Sequence, residues 1–311
     1  MPRRVRGRGG RQLDYEEERI VTLELSTAAE ALIGHLTAPD GTDLGVRDWP
    51  VAPGVPARAT VLLVHGLGEH CGRYEPLARQ LNAWGFAVRG YDQYGHGLSG
   101  GPRGGLSSEL RLLDDLAFMV DALRCSVPRG QPLVLLGHSL GGLVAADFVT
   151  SGLRHVDALV LSSPALALPL STRQQLLLAT LPRLLPNLQV PSGLQSRYLS
   201  HDPAVARAYE ADALRHDRIS ARLAQYMAQG GLRVLGQART WCVPTLLLWA
   251  GQDRLVDPAG SRMLAEHAPP AVLQARCFDE AYHEIFNETA ELAAPVFGRL
   301  GQWLDERLPV A

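Results

Sequence analysis

Lysine is absent from this sequence of 311 residues, and all thirty basic side chains are arginine. Without lysine the chain cannot form a Schiff base, hold phosphate with a P-loop lysine, or use a serine–lysine dyad. The formal net charge of −2 gives no electrostatic reason to expect a nucleic acid partner. The composition therefore argues against these three kinds of chemistry and against nucleic-acid binding.

Cysteine clusters and long apolar runs are also missing. The four cysteines are scattered along the chain without the paired spacing of a metal site, so we expect free buried thiols and no metal. No run of about 18 apolar residues occurs, and no apolar segment follows the basic and then acidic start. We therefore expect a cytoplasmic protein that could also contact the inner membrane surface, with a disordered tail over residues 1–18.

Short apolar runs alternate with amphipathic stretches from residue 19 onward. An opening antiparallel pair is predicted over 20–25 and 44–49. Further strands, whose mostly continuous apolar runs are typical of a parallel sheet buried on both faces, are predicted over 60–66, 86–92, 132–138, 158–164, 245–251 and 272–278. Helices are predicted over 72–84, 105–126, 140–152 and 288–307. This alternation predicts an α/β fold with a mostly parallel, eight-stranded sheet flanked by helices.

The alternation stops between residues 165 and 240, where the pattern is helical. We predict a core of residues 19–164 and 241–311, with 165–240 inserted as a helical cap. Ten leucines between residues 165 and 190 indicate a lid that lines an acyl-chain tunnel and touches a lipid surface transiently. Arg173 and Arg183 would then lie at anionic head groups. The alternative is ordinary packing of the cap on the core.

The pattern Gly-x-Ser-x-Gly occurs twice, around Ser139 and around Ser99. A nucleophilic serine needs a sharp turn from a strand into a helix, with small residues two positions away on either side. Ser139 has an apolar strand before it and a helix after it, whose positive end favours developing negative charge. Ser99 lies in YGHGLSGGPRGG, which is too rich in glycine to begin a helix. Ser139 is therefore the predicted nucleophile, and Ser99 is predicted to be a loop residue.

The partners of such a serine follow it in the order acid, then histidine. Asp253 stands nearest the end of the strand predicted over 245–251, whereas Asp257 precedes a proline and is typical of a helix cap. His283 follows the last predicted strand in a loop, whereas His267 falls in a helical stretch with a solvated face. Asp253 and His283 are therefore the predicted acid and base.

Acyl transfer also requires hydrogen-bond donors for the oxyanion. One is the backbone N–H of Leu140, which directly follows the nucleophile. The other is expected in the loop HGLGEHCGRY after the strand over 60–66, where Leu67 is the candidate. Gly66 and Gly68 on either side of it would allow close backbone approach.

Taken together, HGLGEHCGRY, GYDQYGHGLSGG, GHSLGG, LSSPALAL, WAGQDRLVD and EAYHEIFNE resemble the monoglyceride lipase and serine-aminopeptidase-like branch of the α/β-hydrolase superfamily. The resemblance runs from about residue 40 to the end. It implies the α/β-hydrolase fold, a Ser139–Asp253–His283 triad with Leu67 and Leu140 as oxyanion donors, and no cofactor. It also implies cleavage of monoacylglycerols to fatty acid and glycerol through an acyl-enzyme.

The same resemblance implies that Glu69, Arg73, His138 and, from the cap, Tyr209 meet the glycerol end of the substrate. An alternative role for Glu69 and Arg73 is an ion pair that holds the loop HGLGEHCGRY in place. This role is compatible with contact to the substrate. Val256 stands where mammalian members of the family carry a sensitive cysteine. The cap is the least similar region, so the resemblance leaves the preferred acyl-chain length open.

Two alternatives remain. The same triad could act on a lysophospholipid, a short-chain ester or an N-terminal amide, and an aminopeptidase should carry an acidic cluster near the cap. The segment EADALRHD is a weak candidate for that cluster. A non-catalytic binding module on this fold is the other alternative, but the complete set of triad and oxyanion residues argues against it.

The choice between the two serines can be tested directly. Ser139→Ala is expected to abolish hydrolysis of a p-nitrophenyl ester, because the hydroxyl is the nucleophile. The circular dichroism spectrum should stay unchanged, because the fold does not depend on this hydroxyl. Ser99→Ala is expected to keep most of the activity. An inactive Ser99→Ala variant beside an active Ser139→Ala variant would reverse the choice.

Overall fold

The computed structural model describes residues 31–169 and 171–309. The tail predicted over 1–18 and the strand predicted over 20–25 lie outside the described residues. In the cap, the side chains of Arg173, Leu176 and Leu177 lie outside them as well.

Eight strands form the central sheet, and two short ones pair outside it. In chain order the ten are β1 (Leu32–Thr37), β2 (Asp43–Trp49), β3 (Ala59–Val64), β4 (Phe86–Tyr91), β5 (Leu133–His138), β6 (Ala158–Ser162), β7 (Gln189–Pro191), β8 (Arg218–Ser220), β9 (Thr245–Ala250) and β10 (Leu273–Phe278). The sheet order is β1-β2-β4-β3-β5-β6-β9-β10. Only the β1–β2 and β2–β4 pairs are antiparallel, so the predicted eight-stranded, mostly parallel sheet is confirmed.

The strand paired with β2 was not predicted. It is β1, whose register runs from Leu32 opposite Asp48 to Thr37 opposite Asp43. Leu32 and Ile33 are 64% and 59% exposed, because β1 lies at the edge of the sheet. An edge strand with both faces largely exposed has no alternating apolar pattern for the sequence to reveal.

Eight helices complete the described residues: α1 (Glu75–Ala83), α2 (Arg111–Ser126), α3 (Leu140–Thr150), α4 (Thr172–Leu184), α5 (Pro203–Ala211), α6 (Ala221–Gly236), α7 (Pro258–His267) and α8 (Ala290–Arg307). The four predicted core helices correspond to α1, α2, α3 and α8. Helix α2 begins six residues later than predicted, after a loop in which Gly104 has a φ of +66° and its Cα is packed against the carbonyl of Arg218. Residues 105–110, which were predicted to be helical, form turns and irregular structure instead. None of the helices in the described ranges combines the length and apolar character needed to cross a bilayer.

Apolar layers cover both faces of the sheet. Along β3, Leu62 and Val64 belong to the cluster that contains α2 and α3 side chains. Val61 and Leu63 belong to the opposite cluster, with fully buried Trp303 of α8. Because both faces are covered, the central strands are apolar at every position, which explains the continuous runs in the sequence.

The segment between β6 and β9 interrupts the alternation of sheet strands and helices, in the region where the sequence predicts the cap. It contains α4, α5 and α6, together with the antiparallel pair β7–β8. The sequence does not reveal this pair because each strand has three residues, too few for a periodic pattern. Helix α6 packs along α3 of the core, where Arg233 forms an ion pair of 2.7 Å with buried Asp147. The boundaries of the cap at residues 165 and 240 stay a prediction.

The close contact of α6 with the chain after β6 depends on Gly231. A Cβ atom at this position would lie 2.1 Å from the carbonyl oxygen of Leu166. Gly231→Ala is therefore expected to lower the free energy of unfolding by about 1–3 kcal/mol in a urea titration. Gly298→Ala is the matched control, since Gly298 is exposed within α8 and its added Cβ would meet nothing within 4 Å. It should raise stability by about 0.5–1 kcal/mol, and equal effects of the two variants would contradict the packing argument.

Candidate active site

Ser139 stands in the sharp turn that joins β5 to α3. Its φ is 54° and its ψ is −118°, a conformation that non-glycine residues rarely adopt. A Cβ atom at Gly141 would lie 2.1 Å from the carbonyl oxygen of Val64, and one at Gly137 would lie 2.4 Å from that of Gly141. The two glycines of the motif are therefore required by close backbone packing on either side of the serine.

Backbone hydrogen bonds hold the strained residue in place. The Ser139 N–H donates to the carbonyl oxygen of Ser162 at 3.0 Å. The Ser139 carbonyl oxygen accepts from the N–H groups of Leu143 and Ala165 at 3.0 and 2.9 Å. These bonds offset the cost of the unusual conformation and hold the side chain at the carboxyl end of β5.

His283 and Asp253 form a buried, hydrogen-bonded pair. Asp253 follows the carboxyl end of β9 and His283 that of β10, as Ser139 follows the carboxyl end of β5. The Nδ1–H of His283 donates to Oδ2 of Asp253 at 2.6 Å, with both side chains at most 3% exposed. The other carboxylate oxygen of Asp253 accepts from the N–H groups of Leu255 and Val256 at 2.9 and 3.0 Å. With Nδ1 committed to Asp253, Nε2 of the imidazole is left to accept a proton.

The electrostatics of this pair favour a proton on the histidine. Burial acts to lower the pKa of His283, but the Asp253 carboxylate and its hydrogen bond outweigh burial, and the pKa lies above its ordinary value. Burial likewise acts to raise the pKa of Asp253, while His283 and the backbone N–H groups of Leu255 and Val256 bring it below its ordinary value. The aspartate therefore stays ionised beside an imidazole that can hold a proton.

The structure brings His283 to the end of the strand that precedes Ser139. The ring centroids of His283 and His138 are 4.7 Å apart. The Ser139 hydroxyl donates no hydrogen bond to His283 or to any other group among the described residues. A hydrogen bond between nucleophile and base is often long in a free enzyme and tightens when substrate is bound.

The two predicted oxyanion donors belong to chain segments that adjoin the serine. Gly66, directly before Leu67, packs on Ser139, because a Cβ at Gly66 would lie 3.2 Å from the Cβ of the serine. Leu140 is the first residue of α3. Within the described parts of the chain, neither the Leu67 nor the Leu140 N–H donates to a protein acceptor. Two unpaired N–H groups next to a serine are a geometry suited to binding an oxyanion.

Buried side chains anchor the loop that carries Leu67. Oε1 of Glu69 accepts from the Gly66 N–H at 2.6 Å and from the Tyr74 hydroxyl at 2.6 Å. Its Oε2 is hydrogen-bonded to Arg73. Burial alone would raise the pKa of Glu69, but Arg73 and the neighbouring donors bring it to about 2. The carboxylate is therefore ionised, and it binds protein donors with both oxygens.

Arg73 has a second carboxylate partner that the sequence did not predict. Its two terminal nitrogens donate to the two oxygens of Glu284 at 2.7 and 2.9 Å. Glu284 directly follows His283 in the motif EAYHEIFNE, but nothing in the sequence indicates that it pairs with Arg73. The structure thus places Glu69 and Arg73 in an ion pair, and their contact with substrate stays a prediction.

His138 and Tyr209, the other two predicted substrate-binding residues, are both buried near the serine. His138 Nδ1 lies 3.1 Å from the hydroxyl of Ser162, and burial together with the charge of His283 lowers the pKa of His138 to about 4. Tyr209 of α5 packs over the loop after β3 that carries Leu67, called the oxyanion loop below. A Cβ at Gly68 of this loop would lie 3.2 Å from the Tyr209 hydroxyl. Burial raises the pKa of this phenol to about 12. Both side chains are therefore neutral near pH 7.

The remaining sequence predictions about this region concern structural residues. Ser99 lies in a loop, where its hydroxyl donates to the Asp92 carbonyl oxygen at 2.5 Å and accepts from the Gly45 N–H at 2.8 Å. Asp257 caps α7 through the N–H of Ala259 at 2.9 Å. Both structural roles are confirmed. Across residues 31–169 and 171–309, no three His, Cys, Asp or Glu side chains are grouped as metal ligands.

Comparison with known proteins identifies the family to which the chain belongs. The family model for serine aminopeptidase, S33, matches residues 55–290, and the chain belongs to this family. The crystal structure of Paleococcus ferrophilus monoacylglycerol lipase superimposes with a TM-score of 0.76, covering 85% of this chain and 99% of that one at 34% identity. The predicted α/β-hydrolase fold is confirmed.

Two curated relatives show how much of the chain is shared. The monoglyceride lipase of Homo sapiens is 33% identical over 281 residues, which are 89% of this chain and 91% of that protein. An abhydrolase domain-containing protein of Dictyostelium discoideum is 30% identical over 280 residues, and these span 29% of its length. The chain therefore resembles one protein along nearly its whole length and one part of another.

Proposed function

We propose that this chain is a serine hydrolase that cleaves monoacylglycerols to a fatty acid and glycerol. The observation that carries the proposal is the 2.6 Å hydrogen bond between His283 and Asp253, placed at the sheet edge where Ser139 is held in its strained turn. A buried acid, a histidine oriented by it and a serine at a helix N-terminus are the parts that acyl transfer needs.

The reaction then proceeds in two steps. The Ser139 Oγ attacks the ester carbonyl carbon while Nε2 of His283 takes the hydroxyl proton, and the carbonyl oxygen becomes an oxyanion between the N–H groups of Leu67 and Leu140. The C–O bond to glycerol breaks as His283 returns the proton to the leaving oxygen. Water, activated by the same histidine, attacks the acyl-enzyme and releases the fatty acid and Ser139.

Monoacylglycerol as substrate is supported by the similarity to monoglyceride lipases, which covers 89% of this chain in the human protein, and by the polar side chains near the serine. A glycerol with two free hydroxyls needs hydrogen-bond partners inside a buried pocket, and an ester without those hydroxyls would leave such partners unpaired. The Tyr209 hydroxyl has no hydrogen-bond partner among the described residues. Tyr209 and His138 are therefore our candidates for contact with glycerol, whereas Glu69 and Arg73 bind mainly each other and Glu284.

An aminopeptidase is less well supported by the cap. Glu210, Asp212 and Asp217 of the segment EADALRHD line an open cavity of about 820 Å³. The same cavity is lined by three arginines, Arg103, Arg215 and Arg218. Asp212 is also bound to His70 at 2.7 Å. With its acidic charge balanced in this way, the cavity is a poor site for a substrate ammonium group.

Contact with a lipid surface through the cap forms the second part of the proposal. Four apolar side chains near the C-terminal end of α4 and just beyond it are exposed: Leu184 at 78%, Leu185 at 54%, Leu188 at 43% and Val190 at 44%. An apolar patch on the outside of a cap suits shallow, reversible insertion at a lipid interface. The expected cytoplasmic location stays a prediction.

A panel of substrates tests the chemistry and the specificity together. Fatty-acid release would be measured from 1-monoacylglycerols of several chain lengths, diacylglycerol, lysophosphatidylcholine and a proline β-naphthylamide, with the Ser139→Ala variant as the blank. We expect kcat/KM to be highest for a monoacylglycerol. If lysophosphatidylcholine or the amide gave the highest value, the substrate assignment would be wrong while the serine mechanism stood.

The lipid contact is tested by co-sedimentation with vesicles of anionic phospholipid. The double variant Leu184→Asp, Leu185→Asp is expected to reduce the bound fraction severalfold, because two carboxylates cannot enter the apolar interface. The control is the double variant Leu32→Asp, Ile33→Asp, which adds the same charge at two apolar residues of the edge strand β1 that are 64% and 59% exposed. Equal binding of the cap variant and the wild type would exclude this contact.

A further inference from the structure

Two separate loops carry the two halves of the proposed chemistry. The loop after β3 carries Leu67, and the loop after β10 carries His283. In sequence they are more than two hundred residues apart, and neither belongs to a regular element that would fix its position. Acyl transfer requires the base and the oxyanion donors to keep fixed positions relative to each other, because they act on neighbouring atoms of the same ester group.

A continuous chain of buried contacts joins these loops. The Gly66 N–H is bound by Glu69, and Glu69 is bound by Arg73. Arg73 is bound in a bidentate manner by Glu284, the residue next to His283. Each bond between the charged groups is charge-assisted, the strongest class of hydrogen bond in proteins.

Burial makes this chain of contacts stiff. The side chains of Glu69, Arg73 and Glu284 are 4%, 11% and 5% exposed. Glu284 is further fixed by the Asn287 side-chain amide, which donates to its Oε2 at 2.8 Å, and by its own N–H, which donates to the Leu199 carbonyl oxygen at 2.8 Å. Breaking such a pair would leave an uncompensated charge in a dry site, which is strongly unfavourable.

Glu288, a second carboxylate in the loop after β10, makes no contact with the oxyanion side within the described ranges and serves as a comparison for Glu284. Glu288 accepts from the Tyr282 N–H at 2.7 Å and from His201 at 2.8 Å. It has no contact with Arg73 or with the loop after β3 among the described residues. Glu288 therefore holds the loop after β10 to the cap segment, whereas Glu284 reaches the oxyanion side.

We propose that Glu284, acting through Arg73, is a positioning residue that holds His283 at a fixed distance from the oxyanion loop. The inference rests on the proposed triad and deepens it. It assigns the Arg73 guanidinium to the alignment of the catalytic groups, because both terminal nitrogens are occupied by protein carboxylates. Loss of the contact between Arg73 and Glu284 should therefore lower kcat and leave KM unchanged. Loss of a substrate-binding residue would mainly raise KM.

The negative charge of Glu284 also acts on the base. The charged or titratable groups that face His283 are Asp253, Glu284 and Glu69, together with the neutral ring of His138. Three carboxylates and one arginine leave a net negative field, which favours the protonated imidazole. Removing the charge of Glu284 must lower the pKa of His283, and the acid limb of the pH–rate profile should then move to lower pH.

The experiment compares Glu284→Gln with the wild type on a monoacylglycerol across pH 5 to 9. In the wild type, kcat/KM should rise with pH through a midpoint above about 6.5, the ordinary pKa of histidine. The variant should show a kcat lower by about 10- to 100-fold, an unchanged KM and a midpoint at lower pH. Asp121→Asn is the matched control, since Asp121 forms an exposed bidentate pair with Arg154 and should change none of these values.

Glu284→Asp separates geometry from charge. It keeps the carboxylate one methylene shorter, so kcat should fall while the pH midpoint stays near that of the wild type. This variant also keeps the proposal falsifiable if Glu284→Gln fails to fold, as judged by circular dichroism and Tm. Wild-type kcat in both folded variants, or a loss confined to KM, would overturn the inference.

A double-mutant cycle tests the route through Arg73. For this cycle kcat is measured on the high-pH plateau, where His283 is neutral and the direct effect of the Glu284 charge on its pKa plays no part. If Glu284 positions His283 through this arginine, the double variant Arg73→Gln, Glu284→Gln should there have the kcat of Arg73→Gln alone. Losses that multiply would show two independent roles and contradict the inference. Failure of the proposed function is recognised separately, by full activity of Ser139→Ala, so the two outcomes cannot be confused.

Discussion

Close packing of backbone against backbone around Ser139 is the constraint on which the rest of the site depends. The Cα of Gly141, in the first turn of α3, lies so near the end of β3 that an added Cβ would reach 2.1 Å from the Val64 carbonyl oxygen and 2.4 Å from that of His65. This contact brings the N-terminus of α3 against the loop that begins at Gly66. A helix end, a strained serine and the oxyanion loop therefore converge because two glycines permit it. The side chains around them adjust to that convergence.

The oxyanion loop depends on buried polar groups as much as on glycine. His65 accepts the Gln93 N–H on its Nε2 at 2.9 Å, so its Nδ1 must carry the proton that is donated to the Gly66 carbonyl oxygen at 2.7 Å. Burial lowers the pKa of His65 and keeps it neutral, which preserves this tautomer. Glu69 binds the N–H of the same glycine. Gly66 thus has both backbone groups bound by the protein, while the Leu67 N–H beside it has no protein acceptor among the described residues and points to a role outside the fold's own hydrogen bonds.

Much of this architecture could be predicted from sequence because its elements are local. Runs buried on both faces identify the central strands, and residues that follow such strands, as Ser139, Asp253 and His283 do, lie at their carboxyl ends. The edge strand β1 and the three-residue strands β7 and β8 could not be predicted, since exposed or very short strands have no periodic apolar pattern. The pairing of Arg73 with Glu284 could not be predicted from the sequence for a different reason. It joins residues 211 positions apart, and only the three-dimensional arrangement decides which of thirty arginines faces which carboxylate.

The distribution of charge follows from the same arrangement. Burying Asp253, Glu69 and Glu284 near one histidine is unfavourable unless donors surround them. Backbone N–H groups do so for Asp253, and Arg73 does so for both glutamates. One arginine among three buried carboxylates leaves a surplus of negative charge, and His283 neutralises part of it when it accepts a proton. The protonated His283 of the proposed mechanism is therefore the state in which the buried charges around it are closest to balance. The same ion pairs that hold the two loops together thus also stabilise the charge that develops on the base.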